Sequence, residues 1–318
     1  MSAGMYLIFN NRVEVVNSSS WEILNEINYT THAIPLSSIK FFDENNGLAV
    51  KALSIQKTND GGKNWYEVFS DEKIGVYSGS FVNETEGWVV GTENFVEPII
   101  LKTTNKGSSW NKLIFDEKSL EKLKNNFTYF RDICFDKVGK PWVIGDGGII
   151  QIKTNENKLE LVDFYPIKKS LYRIACSESG DIWTVGIKNS VFHFNSDWVK
   201  YDLDSKYIFT NVKSFGSNIW LIGSDNSNNG VLLNSQDNGQ NWTNKTPESA
   251  PVLNDIYIKD KIGWLIGEDG SIYYSNDGGN SWIKFRSPTN NNLLEVYFLN
   301  QNNGWISGDN YTLLRFQK

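Results

Sequence analysis

Short apolar runs that end in glycine recur along the whole chain, and most are followed by a second β-rich run and a turn. The clearest of them read Gly-Trp-x-x-Gly, and the others keep Trp-x-x-Gly or a decayed form of it. The Trp, or the residue in its place, falls at positions 48, 88, 142, 183, 220, 264 and 305, a mean step of about 43 residues. β-rich runs bounded by turn residues predict strands, and this period is that of a four-stranded propeller blade.

A second motif, Ser/Thr-x-Asp-x-Gly-x-x-Trp, follows four of these runs, once with Asn in place of Asp. Its Ser/Thr and Asp side chains can bond to their own turn, and glycine can adopt positive φ. One carboxylate per loop is too few for calcium, which takes about six to eight oxygen ligands, so we interpret the motif as a structural hairpin rather than a calcium or acid-catalytic site. Its members are Thr58, Asp60, Gly62 and Trp65; Thr103, Asn105, Gly107 and Trp110; Ser235, Asp237, Gly239 and Trp242; and Ser275, Asp277, Gly279 and Trp282.

These hairpins resemble Asp-boxes, also called BNR repeats, which occur in sialidases and many other propellers. Their combination with Gly-Trp-x-x-Gly resembles the photosystem II stability/assembly-factor family, from about residue 36 to the C-terminus. The resemblance implies a seven-bladed β-propeller with a non-enzymatic, protein-binding role. Photosynthetic members are described as carrying an arginine-rich surface patch, whereas the arginines here are scattered, at Arg12, Arg131, Arg173, Arg286 and Arg315.

We therefore expect one all-β domain over residues 1–318, a seven-bladed propeller. The last unit lacks an outer strand, so we predict that residues 21–24 complete its sheet and leave the ring without an open edge. Residues 5–16 are extra β segments, which either join this closing blade or begin an eighth. A short helix is expected over Ser119–Lys124. The expected blades span residues 36–70, 74–115, 129–164, 170–203, 208–246, 252–286 and 292–318.

The candidate binding site follows from aligning the units on their Trp. A polar residue then precedes an apolar position near the start of each inner strand, the first strand of a unit. These seven positions would form a ring at the mouth of the central channel, either as a ligand or partner pocket or as the polar, wet lining that propeller channels generally have. The ring residues are Ser38, Ser78, Asp132, Arg173, Asn211, Asp255 and Glu295, with Arg131 and Tyr172 beside them.

The loops around this mouth carry most of the insertions, and loops on a rigid scaffold commonly carry function. We therefore expect binding on the face opposite the Asp-boxes. The partner is expected to be a protein of unknown identity, with a glycan as an alternative ligand.

Composition narrows the chemistry further. The net charge of −6 argues against nucleic-acid binding, and no apolar stretch is long enough for a membrane span. Only two histidines and two cysteines occur, and no cofactor, metal or catalytic residue is assigned. Cys134 and Cys176 fall on inner strands and are interpreted as small core residues, since two cysteines make no disulfide framework. We expect a soluble monomer, either cytoplasmic or exported with its signal peptide removed.

The main alternative is a sialidase-like or other carbohydrate-active glycoside hydrolase, or a glycan-binding propeller. Hydrolysis would need paired carboxylates and, for sialic acid, an arginine cluster that holds the substrate carboxylate. The sialidase-type Phe/Tyr-Arg-Ile-Pro motif is missing, because the nearest segment, Ala33–Leu36, lacks the arginine. The sequence therefore favours a non-enzymatic protein-binding or assembly module.

Overall fold

The computed structural model describes residues 5–9, 12–16, 20–25, 36–94, 96–126, 129–155 and 158–317. Within these ranges the chain is nearly all β-structure. Its first three strands are β1 (Met5–Phe9), β2 (Arg12–Val16) and β3 (Ser20–Asn25). β1 and β2 pair antiparallel with each other in a two-stranded sheet, so the β segments expected within residues 5–16 form strands there.

The next eight strands form two antiparallel units of four, in which each strand pairs with the one before it. They are β4 (Ser38–Phe41), β5 (Gly47–Lys51), β6 (Ser54–Thr58), β7 (Tyr66–Ser70), β8 (Ile74–Phe81), β9 (Gly87–Glu93), β10 (Glu97–Thr103) and β11 (Asn111–Phe115). The second strand of each unit is buried on both faces, because neighbouring sheets cover both of its sides.

The helix predicted over Ser119–Lys124 is confirmed as α1 (Glu117–Lys124). Asp116 caps its N-terminus and accepts a hydrogen bond from the Ser119 backbone N–H at 2.7 Å. Leu123 is buried in the core between the second and third units, so the apolar side of the helix holds the connecting loop onto the sheets.

The third and fourth units are joined by one long strand. Their strands are β12 (Phe130–Phe135), β13 (Pro141–Asn155), β14 (Lys158–Cys176), β15 (Ile182–Gly186), β16 (Ser190–Phe194) and β17 (Trp198–Tyr201). β14 pairs with β13 through Ser170 and with β15 from Leu171, so it serves both units. The sequence suggested a break between residues 164 and 170. The only strong turn former there is Pro166, and its fixed φ is compatible with extended backbone.

Three further antiparallel units complete the chain. Their strands are β18 (Tyr207–Phe215), β19 (Asn218–Asp225), β20 (Gly230–Ser235), β21 (Thr243–Asn244), β22 (Leu253–Lys259), β23 (Ile262–Gly267), β24 (Ile272–Ser275), β25 (Ile283–Phe285), β26 (Leu293–Asn300), β27 (Asn303–Gly308) and β28 (Leu313–Gln317). The fourth strand of the last unit is β3, which pairs antiparallel with β28 and sets Trp21 opposite Phe316.

The glycine of Trp-x-x-Gly has a steric role that repeats from unit to unit. On the paired inner strand, the residue opposite this glycine flanks a β-bulge, where the inner strand carries one extra residue. A Cβ on Gly267, for example, would overlap the backbone carbonyl oxygen of Val252, the residue just before the inner strand β22. The same clash with a carbonyl at or just before the start of the inner strand recurs at Gly91, Gly145, Gly186, Gly223 and Gly308. Only glycine therefore lets the second strand approach the bulge.

The Asp-box hairpins bond to themselves. In the last of them, Ser275 Oγ donates to Asp277 Oδ1 at 2.7 Å and accepts from the Gly279 N–H at 2.8 Å, while the Ser281 N–H donates to Asp277 Oδ1 at 2.9 Å. The other three boxes repeat this network, with Asn105 in the place of Asp. Each aspartate is therefore engaged by its own turn.

One feature of the core differs from the sequence-based interpretation. Cys134 and Cys176 are bonded as a disulfide across the inner strands β12 and β14. Two cysteines make no framework of several disulfides, but they lie at matching depths on neighbouring inner strands, with Cα atoms 5.8 Å apart, which suits a single bond. The interpretation of these cysteines simply as small core residues therefore missed the bond between them.

Candidate functional site

The propeller has two faces that differ in their loops. On the Asp-box face, three of the four boxes bond to the loop that follows their inner strand; the Gly278 N–H, for example, donates to the Lys261 carbonyl at 2.8 Å. On the mouth face, the loops that lead into the inner strands meet the loops that follow Trp-x-x-Gly. There the Glu268 N–H donates to the Val252 carbonyl at 2.9 Å, and the Asp309 N–H to the Asn292 carbonyl at 2.8 Å.

The inner strands surround a cavity of about 280 Å³, the central cavity. The structure brings all seven ring positions together around it: Ser38, Ser78, Asp132, Arg173, Asn211, Asp255 and Glu295. The disulfide also lines this cavity. The ring positions could be predicted because each lies nine or ten residues before the Trp position of the next strand.

Three ring carboxylates bond to the backbone of the following inner strand. Asp132 Oδ2 accepts from the Ile174 N–H at 2.9 Å. Asp255 Oδ2 accepts from the Val296 N–H at 3.0 Å, and Glu295 Oε2 accepts from the Ile39 N–H, also at 3.0 Å. These bonds join neighbouring sheets at the cavity, so part of the ring's polarity is structural.

Lys213 is a cavity residue that the sequence reasoning missed. It lies two positions after Asn211 on the same strand face, and this period of two was the signal that could have identified it. Its Nζ lies 3.1 Å from Asp255 Oδ1, which also accepts from Asn211 Nδ2 at 2.9 Å. Burial alone would lower the pKa of Lys213, but the charges of Asp255 and Glu295 hold it above its usual value.

Glu295 has an unusual protonation equilibrium for a carboxyl group. Burial in the cavity raises its pKa to about 7, with a further contribution from the charge of Asp255, although Lys213 and Arg173 oppose the shift. This side chain therefore changes charge near neutral pH.

Arg131 and Tyr172 do not line the central cavity. They are the extra residues of the bulges in β12 and β14, and they belong to a cluster on the mouth face. The Arg131 guanidinium carbon lies 4.7 Å from the centre of the Tyr129 ring and 5.8 Å from that of Tyr172, and the Tyr77 ring lies 6.2 Å from that of Tyr129. We call these four residues, Tyr77, Tyr129, Arg131 and Tyr172, the Tyr–Arg cluster. Arg131 and Tyr172 were expected beside the ring residues at the channel mouth, but the bulge separates their side chains from the central cavity.

The Tyr–Arg cluster is fixed by an ion pair. Arg131 Nε donates to Asp146 Oδ1 at 3.0 Å. Partial burial alone would raise the pKa of Asp146, but hydrogen bonds from Arg131, Tyr129 and Ser170 hold it below its usual value. The carboxylate therefore stays ionised and holds the guanidinium in place above the Tyr129 ring.

A cleft of about 640 Å³ opens next to the Tyr–Arg cluster. Tyr172 belongs to both, and Ile187, Tyr207 and Ile208 add apolar surface. Ile187 and Ile208 are each 39% exposed, which leaves apolar surface uncovered on the mouth face.

Among the residues that the structure describes, no group of three or more His, Cys, Asp or Glu side chains could hold a metal ion. In the same part of the chain, no helix is long and apolar enough to cross a membrane.

The fold and its repeats define an Asp-box β-propeller. The family model described as "Photosynthesis system II assembly factor YCF48" matches residues 13–122 and 243–317, more than half of the chain, and the chain belongs to this family. A curated relative, the photosystem II assembly lipoprotein Ycf48 of Synechococcus sp. (strain CC9902), is 22% identical over 349 aligned residues, which cover 99% of this chain and 94% of the relative.

Solved structures share the fold. One described as YCF48 bound to D1 peptide has a TM-score of 0.74 and 22% identity, covering 94% of this chain and 97% of its own. Selenomethionine-substituted virginiamycin B lyase from Staphylococcus aureus has a TM-score of 0.71 and 14% identity, covering 95% and 100%. Since the fold also supports a lyase, function has to be argued from the site.

Proposed function

We propose that this chain is a non-enzymatic, protein-binding propeller of the assembly-factor type, and that it contacts its partner through the mouth face. The observation that carries the proposal is the Tyr–Arg cluster. Tyrosine and arginine dominate the energetics of protein interfaces, since they combine large contact area with hydrogen bonding. The bulges direct Tyr77, Arg131 and Tyr172 away from the central cavity and onto the surface.

The proposed partner is a polypeptide segment of a complex under assembly. The family carries the name of a photosystem II assembly factor, and one similar structure is described as bound to D1 peptide. The cleft beside Tyr172 supplies an apolar recess for a side chain of such a segment. Because the arginines of this chain are scattered, we assign recognition to the Tyr–Arg cluster rather than to an arginine patch.

The architecture that supports this role is proposed to be a closed ring of seven blades. Seven inner strands carry the ring positions. The last unit contacts the first through the bond from Ile39 to Glu295 and through the Tyr297 hydroxyl, which donates to the Phe41 carbonyl at 2.8 Å. The Trp305 indole N–H also donates to the Gly61 carbonyl at 2.9 Å. Together with the pairing of β3 and β28, these contacts support closure by a blade that contains strands from both ends of the chain.

The disulfide supports the exported alternative for localisation. Disulfides persist in oxidising compartments and are rare where thiols are kept reduced. We therefore propose that the chain works outside the cytosol.

A glycoside hydrolase is the second candidate, and one observation favours it. Glu295 combines burial with a pKa of about 7, which suits a general acid. The neighbouring Asp255, however, is bonded to Lys213, Asn211 and the Val296 N–H, so its oxygens are already engaged. A screen with fluorogenic glycosides, including a sialoside, tests this alternative. If the native chain hydrolyses a glycoside and Glu295→Gln does not, the protein is a hydrolase and the protein-binding proposal is contradicted.

The protein-binding proposal is tested by truncating the cluster. The double variant Tyr77→Ala/Tyr172→Ala is compared with the native chain in quantitative pull-downs from the source cells. Loss of a hot-spot side chain costs about 2 kcal/mol or more, so recovery of the partner should fall at least about 30-fold. The matched control is Tyr66→Ala, since Tyr66 is 46% exposed on the outer strand β7. Equal recovery with both variants would contradict the proposal.

A further inference from the structure

The central cavity contains five ionisable side chains, and four of them bond to the backbone or to a charged side chain of a neighbouring inner strand. Lys213 pairs with Asp255, and the three carboxylates accept the backbone N–H groups of neighbouring inner strands. Asp132 also accepts from Ser78 Oγ at 2.6 Å. The fifth side chain, Arg173, has no such bond to a neighbouring inner strand.

Arg173 is the cavity cation without a carboxylate at ion-pair distance among the described residues, although its charge opposes the raised pKa of Glu295. A guanidinium carries five N–H donors, and the hydrogen bond described for this one runs from Nη1 to its neighbour's carbonyl, Tyr172 O, at 3.3 Å. No carboxylate in the described part of the chain forms an ion pair with it. The planar guanidinium matches a carboxylate with two parallel hydrogen bonds, and it is always charged.

We propose that the central cavity binds a carboxylate group through the guanidinium of Arg173. The cavity volume of about 280 Å³ equals that of about nine liquid waters, which leaves room for a small organic acid or for one acidic side chain of a partner. The inference deepens the proposed function, because the cavity opens within the ring of the proposed binding face.

The charges around the cavity make this binding depend on a proton. Glu295 faces Lys213 on β18, Asp255 on β22 and Arg173 on β14, with Asp132 on β12 lining the same cavity. When Glu295 is ionised, three carboxylates oppose two cations, so an entering carboxylate meets a net negative charge. When Glu295 is protonated, the cavity charges balance and the guanidinium attracts the ligand.

The direction of the pH dependence follows from this balance. Because burial raises the pKa of Glu295 to about 7, its protonated fraction falls about tenfold between pH 6 and pH 8. Carboxylate binding should therefore weaken by up to about tenfold over the same interval.

Calorimetric titration of the full chain tests the site with two probes. One is succinate, and the other is an N-acetylated, C-amidated Gly-Gly-Glu-Gly-Gly peptide, whose single carboxylate is a side chain. Binding of succinate alone would assign the site to free organic acids, and binding of the peptide alone would assign it to a partner's acidic residue. Either result at pH 6, with about tenfold weaker binding at pH 8, is expected from the proposal. Absence of binding by both probes would overturn it.

Variants then separate the roles of the two side chains. Arg173→Gln should weaken binding at least about tenfold. Arg173→Lys should retain part of the affinity, since lysine keeps the charge but cannot form the two parallel hydrogen bonds of a guanidinium. Arg286→Gln is the matched control, since Arg286 is exposed outside the cavity, and it should bind as the native chain does. Glu295→Gln should bind equally at both pH values.

Two results would contradict the assignment to Arg173 and a carboxylate. One is binding by Arg173→Gln that equals the native affinity while the circular dichroism spectrum shows an intact fold. The other is inorganic phosphate binding as tightly as the carboxylate probe, which would indicate a general anion site. Since the probes do not involve the partner, failure here leaves the pull-down result on Tyr77 and Tyr172 to decide the proposed function separately.

Discussion

The carboxylate of Asp132 accepts a hydrogen bond from the backbone N–H of Ile174 at 2.9 Å, so a ring residue of one inner strand is bonded to the next inner strand. Asp132 is only 6% exposed, and it also accepts from Ser78 Oγ. The same side chain thus connects three successive units at the cavity wall.

Asp132→Ala should lower the free energy of unfolding. The substitution leaves the buried Ile174 N–H without an acceptor, a loss of about 1–3 kcal/mol. Urea denaturation measures the change, with Glu72→Ala as an exposed control that should stay within about 0.5 kcal/mol of the native value. A native-like midpoint for Asp132→Ala would show that the bond between the inner strands contributes no stability.

The glycine of Trp-x-x-Gly gives a second stability prediction. Gly267→Ala should destabilise by at least about 3 kcal/mol, because the new Cβ overlaps the Val252 carbonyl oxygen at the bulge. Gly216→Ala is the comparison, since Gly216 has a φ of +61° with no atom near its Cβ position, and positive φ alone costs about 1–2 kcal/mol. Equal losses in the two variants would mean that the close approach of the strands is not what requires glycine.

Removing the disulfide should also destabilise the fold. The bond closes a loop between residues 42 positions apart, and cross-links of this kind contribute about 2–4 kcal/mol. The variant Cys134→Ser/Cys176→Ser should unfold at lower urea than the oxidised native chain and at about the same urea as the reduced native chain. Coincident transitions of the variant and the oxidised chain would rule out a stabilising role for the bond.

Glu295 predicts a pH-dependent difference in stability. Its folded pKa of about 7 lies above the unfolded value near 4.5, so the unfolded chain loses this proton first as pH rises. The contribution of Glu295 to stability is therefore lost between about pH 4.5 and pH 7 and stays lost above that interval. Relative to the native chain, Glu295→Gln should gain stability between pH 5 and pH 8. A constant difference between the two proteins across this interval would contradict the raised pKa.

Much of this fold could be predicted because the repeats carry their own geometry. The Trp-x-x-Gly strand fixes the ring register, and the unpaired segment near Trp21 indicated the partner of the last strand, which the pairing of β3 with β28 bears out. The helix α1 was also visible in its local sequence.

Other features depend on contacts between units, which a repeat pattern does not encode. The bulges place Arg131 and Tyr172 on the surface although their neighbours Asp132 and Arg173 face the cavity. The disulfide requires two inner strands to lie side by side at matching depth. Lys213 was missed because the alignment took one residue per strand, whereas a strand presents every second residue to the same side.

The central claim is that a protein partner contacts the mouth face, and site-specific photo-crosslinking in the source cells tests it most directly. A benzophenone amino acid replaces Tyr77 or Tyr172 on the mouth face, Lys63 on the Asp-box face, or Tyr66 on an outer strand, one position at a time. We predict that the same protein is cross-linked from positions 77 and 172 and from neither of the other two. Cross-linking of a partner protein from position 63, with no cross-link from position 77 or 172, would contradict the account.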